Sequence, residues 1–187
     1  MKSNYFHVPE LDIDDKQRNH LVNKFLELTK QNGGEEQFTR EDGTASPSYN
    51  YCPSGTSVIE DIFQEKKIND LKKICKSIPG NKETDEPFDF LHSQGSVVKH
   101  KDKLRSVFIT IPLQLNEKRV LKFWNDEGTE MIDQLKYDYK TYIVNAHTQH
   151  SVETSERSLF WQGSIFEEFY NFDQIKEMYD NEKLFKI

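Results

Sequence analysis

Between residues 97 and 165 the apolar positions fall in short β-branched and aromatic runs separated by turn residues, whereas earlier in the chain they recur at helical spacing. Val97-Val98-Lys99-His100-Lys101-Asp102 reads as extended chain. Arg105-Ser-Val-Phe-Ile-Thr-Ile-Pro-Leu113 reads as a buried strand that Pro112 ends. Arg119-Val-Leu-Lys-Phe-Trp124 is the next strand, and Asn125-Asp126-Glu127-Gly128 supplies turn chemistry after it. Tyr137–Asn145 is a further strand, which His147–Val152 continues or follows after a short bend. Residues Glu153–Glu156 form a polar turn, and Arg157–Ile165 is the final strand. Short strands joined by turns in this way predict a closed β-sandwich or barrel.

The first part of the chain carries a different period. Over Asp14–Gln31, Leu21, Val22, Phe25, Leu26 and Leu28 make an apolar helix face, Asp14 or Asp12 caps its start, and Gly33-Gly34 stops it. Asn32–Ser57 is rich in Gly, Ser, Pro, Asn and acidic residues and reads as a long loop, either a lid over a substrate or a surface excursion. A second helix is predicted over Ile59–Ser77 from Ile62, Phe63, Ile68, Leu71, Ile74 and Cys75. Gly80–Pro87 is a polar loop, and Ile175, Met178 and Tyr179 predict a short helix within Phe172–Phe185. There is no internal repeat and no composition break, so 1–187 reads as one domain: a helical buttress and loop over about 1–85, a β core over about 86–170, and a C-terminal helix over about 171–187.

Composition narrows the function classes. A chain of 187 residues is long enough for one proper core, and its 12% aromatic content offsets a modest 35% hydrophobic fraction. A formal charge of −7 argues against an undirected nucleic-acid binder, because phosphate affinity needs a basic surface. Cys52 and Cys75 show no CxxC spacing and read as reduced thiols of a reducing compartment. No signal peptide or membrane-spanning run is visible and the first residues are polar, so a cytoplasmic enzyme is expected, in the host cytoplasm if the source is viral.

The candidate chemistry begins at His100-Lys-Asp102. Of the six histidines only His100 stands two residues before an acid. On a strand, residues two apart share a face, so both side chains can reach one metal. Two histidines and one carboxylate on one face of an ion, with positions left open, suit non-haem Fe(II). A distal ligand must come from another strand. His147 and His150 lie three residues apart, so a regular strand would turn only one of them inward.

The order His100-x-Asp102, Arg105-Ser-Val-Phe-Ile-Thr-Ile-Pro-Leu113, His150-Ser-Val152 and Arg157 resembles the Fe(II)/2-oxoglutarate-dependent oxygenases, in particular their small prolyl- or aspartyl/asparaginyl-hydroxylase-like members, phage-type ones included. The resemblance covers roughly residues 85–170. It implies a mainly β fold with flanking helices, built on a double-stranded β-helix, the cupin-like jelly roll. It implies Fe(II) held by His100, Asp102 and His150, with His147 on the surface or beside the ligands. Arg157 then grips the far carboxylate of 2-oxoglutarate, although Leu159 stands where the usual serine partner would be; Thr110, which shares the alternation parity of His100 and Asp102, is one option for a substitute hydroxyl. The implied reaction uses O2 to hydroxylate an unactivated C–H bond of a peptide side chain, amino acid or small metabolite and releases succinate and CO2. A cupin-type metalloenzyme that uses no 2-oxoglutarate, and a non-catalytic jelly-roll binding module, are the alternatives. Arg105 lies an odd number of residues from Asp102, so regular alternation turns it away from the metal, towards a salt bridge on the rim or a place at the mouth facing an acidic substrate. Phe108, Phe123, Trp124 and Trp161 are expected in the core.

Overall fold

The computed structural model describes residues 3–39, 45–54, 56–75, 87–115, 118–154, 157–166 and 168–185. The strands are β1 (Tyr5–His7), β2 (Glu36–Thr39), β3 (Ala45–Pro53), β4 (Asp89–Ser93), β5 (Val97–His100), β6 (Arg105–Gln114), β7 (Val120–Trp124), β8 (Met131–Lys136), β9 (Tyr142–Asn145), β10 (His150–Glu153) and β11 (Ser158–Phe166). The helices are α1 (Asp15–Gln31), α2 (Thr56–Glu60), α3 (Glu65–Ile74) and α4 (Phe172–Asp180). The strands form a larger sheet in the order β1-β9-β6-β11-β4-β3-β2 and a smaller one in the order β5-β10-β7-β8. All pairings are antiparallel. From β4 to β11 the chain passes repeatedly between the two sheets, which is the winding of a jelly roll.

Alternation along β6 builds two apolar layers. Val107, Ile109, Ile111 and Leu113 join Leu21 and Phe25 of α1, Ile68, Leu71 and Ile74 of α3, and Trp161 of β11 in a layer between the larger sheet and the helices. Phe108 faces the other way and packs with Leu121, Phe123, Leu135, Val144 and Val152 between the two sheets. Phe108, Phe123 and Trp161 are therefore core as expected, whereas Trp124 is only partly buried and carries Lys99 Nζ 3.6 Å above its ring.

The helices follow the local sequence closely. Asp14, not Asp12, caps α1: its side chain accepts from Gln17 N at 2.7 Å while Gln17 Oε1 accepts from Asp14 N at 3.0 Å. Asp12 instead accepts from Thr141 N at 2.7 Å. Gly33 ends the helix at φ +76°, a conformation that favours glycine. The single helix expected over Ile59–Ser77 is two, α2 and α3, with a break after Glu60, and Ser77 lies outside the described residues. Most of the Gly80–Pro87 loop and part of the Glu153–Glu156 turn also lie outside them. Asn171 caps α4 with the same reciprocal pattern to Gln174.

Three strand expectations need correction. The described residues of 32–57 are not one loop: they contribute β2 and β3, which extend the larger sheet beyond β4. Turn-forming residues masked their strand character, and the backbone pairing of β3 with β4 and of β2 with β3 overrides that composition. Pro112 does not end β6, which runs on to Gln114. The register to β11 shifts between the Leu159–Gln114 and Phe160–Pro112 pairs, and a bulge is where a sheet tolerates proline. The strand expected over Tyr137–Asn145 begins only at Tyr142, while β8 before it went unread.

Cys52 and Cys75 are buried free thiols, and burial pushes both above the usual range. Among the described residues no helix is long and apolar enough to cross a membrane.

Candidate metal centre

His100 ends β5 and His150 begins β10, and the two are paired directly across the strands. Their rings lie 4.4 Å apart, centroid to centroid. Asp102 does not sit on the strand with His100: β5 stops at His100, and Asp102 lies in the turn to β6, its backbone N–H donating to Ala146 O at 3.2 Å. The turn still returns the carboxylate to the histidines. Asp102 Oδ1 is 3.3 Å from His100 Nε2 and 3.9 Å from His150 Nε2. One donor atom from each of the three lies within 4.8 Å of the others.

The backbone sets the tautomers. His100 Nδ1 lies 2.9 Å from Val98 O, and His150 Nδ1 lies 2.9 Å from Thr148 O. A carbonyl only accepts, so each Nδ1 carries a proton, and in the neutral imidazole each Nε2 then turns a lone pair to the space they share. Metal-bound histidines commonly make this second contact. Burial opposes the charge of Asp102, but Arg105 and both histidines hold its carboxyl well below the usual carboxylate range. Burial, with Asp102 working against it and His100 with it, pushes His150 down to about 4. Burial also works against protonation of the more exposed His100, but Asp102 and the Val98 carbonyl outweigh it and raise the imidazole above its ordinary value. Neutral His150 beside an ionised carboxylate is the protonation state a metal ion needs. The separations suit an ion with bonds of about 2.0–2.2 Å. The donor set thus fits a metal at one face with other positions open.

His147 is not part of this group. It lies in the turn before β10, where its backbone N–H donates to Asn145 Oδ1 at 3.1 Å. The turn is tied to the N-terminal segment: Thr148 Oγ1 donates to Asn4 Oδ1 at 2.7 Å and accepts from Asn145 Nδ2 at 3.0 Å. Asn4 thereby braces the peptide whose carbonyl orients His150.

Arg157 is exposed, just before β11. Alternation gives it the parity of Leu159 and Trp161, which face the helices, whereas Phe160 faces the space between the sheets. Arg119, just before β7, is buried instead, with 3% exposure. It shares the parity of Leu121 and Phe123, both packed between the sheets. Its guanidinium lies 4.8 Å from the Phe160 ring and 5.8 Å from the Tyr137 ring. Among the described residues no carboxylate pairs with it, and its Nε and Nη1 are buried without a hydrogen-bond partner. Thr110 is buried on the β6 face that also bears Phe108. Thr110 and Tyr137 are close enough to influence each other: burial pushes the Tyr137 hydroxyl up to about 12, with Arg119, Arg105 and Thr110 pulling against it. Arg119 went unread although its signal was in the chain. In Arg119-Val-Leu-Lys-Phe123 it is the charged residue on the apolar parity.

No family model matches this chain, and no curated protein matches it in sequence. Solved structures do resemble it in fold. HygX from Streptomyces hygroscopicus, solved with nickel and 2-oxoglutarate bound, is 8% identical, with 90% of this chain and 85% of that chain covered and a TM-score of 0.54. The non-haem alpha-ketoglutarate-dependent carbocyclase SnoK from nogalamycin biosynthesis is 11% identical, with 87% and 79% covered and a TM-score of 0.52. AviO1 from Streptomyces viridochromogenes Tue57 is 8% identical, with 87% and 90% covered and a TM-score of 0.50. At these identities the likeness is one of fold: this chain is a double-stranded β-helix flanked by helices.

Proposed function

We propose that the protein is an Fe(II)- and 2-oxoglutarate-dependent oxygenase that hydroxylates an unactivated C–H bond of a peptide side chain, amino acid or small metabolite. His100, Asp102 and His150 hold the iron, and Arg119 rather than Arg157 takes the far carboxylate of 2-oxoglutarate. Iron with 2-oxoglutarate and O2 supplies the oxidising power, yielding succinate and CO2. The chain binds, orients and shields. The two Nε2 lone pairs and Asp102 Oδ1 are presented together by backbone contacts on one side and Arg105 on the other. A guanidinium offers a planar fork to a carboxylate, and Thr110 Oγ1 and the Tyr137 hydroxyl are hydrogen-bonding groups beside it.

The observation that carries this reading is the buried guanidinium of Arg119, whose Nε and Nη1 have no hydrogen-bond partner among the described residues. A buried charge without a partner is costly, and an anionic ligand removes that cost. His150 pairs with Phe123, four residues along β7 from Arg119. That offset is roughly 13 Å of backbone at about 3.3 Å per residue, a gap that a metal-chelated five-carbon diacid and a long arginine side chain can bridge between them. Further support is the fold shared with HygX, whose structure holds nickel and 2-oxoglutarate.

The test is anaerobic titration of metal-free protein with Fe(II) and then 2-oxoglutarate, followed by visible absorption. A charge-transfer band should need both additions, vanish in Arg119→Ala and persist in Arg157→Ala. A band that survives Arg119→Ala but not Arg157→Ala returns the anchor to Arg157. Stoichiometric iron without any band removes 2-oxoglutarate from the reading and favours a cupin-type enzyme.

A further inference from the structure

We propose that Arg105 is a positioning residue for the metal centre: it occupies one oxygen of Asp102 and so holds that ligand to a single bond with the metal. The proposal rests on the metal reading of His100, Asp102 and His150. Arg105 Nε lies 2.6 Å and Nη2 2.5 Å from Asp102 Oδ2. The other oxygen, Oδ1, is the one that faces both histidine Nε2 atoms, at 3.3 Å and 3.9 Å. Both arms of the fork thus fall on the oxygen turned away from the ligand space.

The guanidinium is itself held from other sides. Its Nη1 donates to Gln162 Oε1 on β11 at 3.3 Å, and it lies 4.8 Å from the centre of the Phe108 ring. Phe108 in turn sits 6.4 Å from the His150 ring. Both partners of the ion pair are largely buried, with side-chain exposures of 22% and 13%.

This corrects the expectation that Arg105 turns away towards the rim. Residues 101–104 are a turn rather than strand, and β6 opens on a bulge: the register to β11 shifts between the Ile165–Val107 and Phe166–Arg105 pairs. A bulge re-aims the side chain at its position.

The consequence concerns open coordination positions. A six-coordinate ion with three single-atom protein ligands keeps three positions for co-substrate and oxygen. A carboxylate free at both oxygens can swing to grip the metal with both, and one of those positions is lost. With Oδ2 committed to Arg105, Asp102 cannot do so.

The experiment counts those positions with Mn(II), through water-proton relaxation of the metal-loaded protein without co-substrate. Relaxivity per bound Mn(II) should fall by about a third in Arg105→Met, one water in three being displaced. Arg105→Lys, which still offers a cation to Oδ2, should recover much of the wild-type value. Arg105→Gln, neutral but polar, carries the same test if the methionine variant does not fold. A merely structural arginine would lower stability and leave relaxivity per bound ion unchanged in Met and Gln variants, which would overturn the proposal. Failure of the wild-type protein to bind Mn(II) would instead overturn the metal reading beneath it.

Discussion

His100 and His150 face each other from adjacent strands with ring centroids 4.4 Å apart, and each gives its Nδ1–H to a carbonyl two residues back. Two imidazoles so close, both with Nε2 turned to one carboxylate oxygen, are poised to share a cation. Replacing His100 or His150 with Ala should reduce bound Fe(II) from near one per chain to below about a tenth, since second-sphere changes alone cost 10–100-fold. His147→Ala should bind as wild type does. Elemental analysis after anaerobic loading and desalting checks all three, and iron lost only in the His147 variant would move the site.

Acid should destabilise the metal-free protein in two steps. Burial depresses His150 from 6.5 to about 4, so between those values the unfolded chain binds the proton the folded one refuses. Stability therefore falls as pH drops from about 6.5 towards 4, by a few kcal/mol at most. Asp102 is also depressed, so its contribution is present above its unfolded value near 3.8 and is lost only at still lower pH. His100, which is raised, acts oppositely: its contribution is complete below 6.5 and disappears as pH rises through its folded value. Urea melts of wild type and His150→Leu from pH 7.5 to 4 should show a pH slope in the wild type that is larger than in the variant.

Arg119 should trade stability for binding. Its guanidinium is buried with Nε and Nη1 unpaired, and Met fills a similar volume without charge. Arg119→Met should raise the melting temperature of the ligand-free protein. Added 2-oxoglutarate with metal should raise wild-type stability by about 2.7 kcal/mol at a hundred times its Kd, and leave the variant unmoved. A variant less stable than wild type without ligand, and still stabilised by 2-oxoglutarate, would remove Arg119 from the co-substrate site.

Gly163 on β11 marks a close approach in the layer beneath the helices. A Cβ there would meet Phe88 Cε2 and Pro87 O at 3.0 Å and Cys75 Sγ at 3.1 Å. Gly163→Ala should destabilise by about 1–3 kcal/mol, the usual cost of overpacking. Metal stoichiometry should stay at the wild-type level in the folded fraction, because this face of β11 is the one turned from the metal. Denaturant melts paired with metal analysis check both parts.

Features with a local cause were legible: the helical periods of α1 and α4 and the apolar alternation of β6. The gathering of His100, Asp102 and His150 was implied by the family resemblance. The gathering came about by a route other than the one expected, since Asp102 reaches His100 from a turn and not along a strand. Strands β1, β2, β3, β4 and β8 are not legible in the sequence: β2, β3 and β8 carry turn-formers or charge, β1 and β4 are short, and pairing with neighbours is a tertiary property.

The chain by itself determined the class of fold and the ligand types of the candidate metal centre, because periodicity and residue chemistry are properties of adjacent positions. Only the tertiary structure decided what each of Arg105, Arg119 and Arg157 meets. Arg119 faces inward because it follows the alternation of β7, Arg157 lies exposed, and Arg105 turns to Asp102 through a bulge that exists only where β6 meets β11. Register and bulges arise from pairing between distant segments, so no window of neighbouring residues carries them.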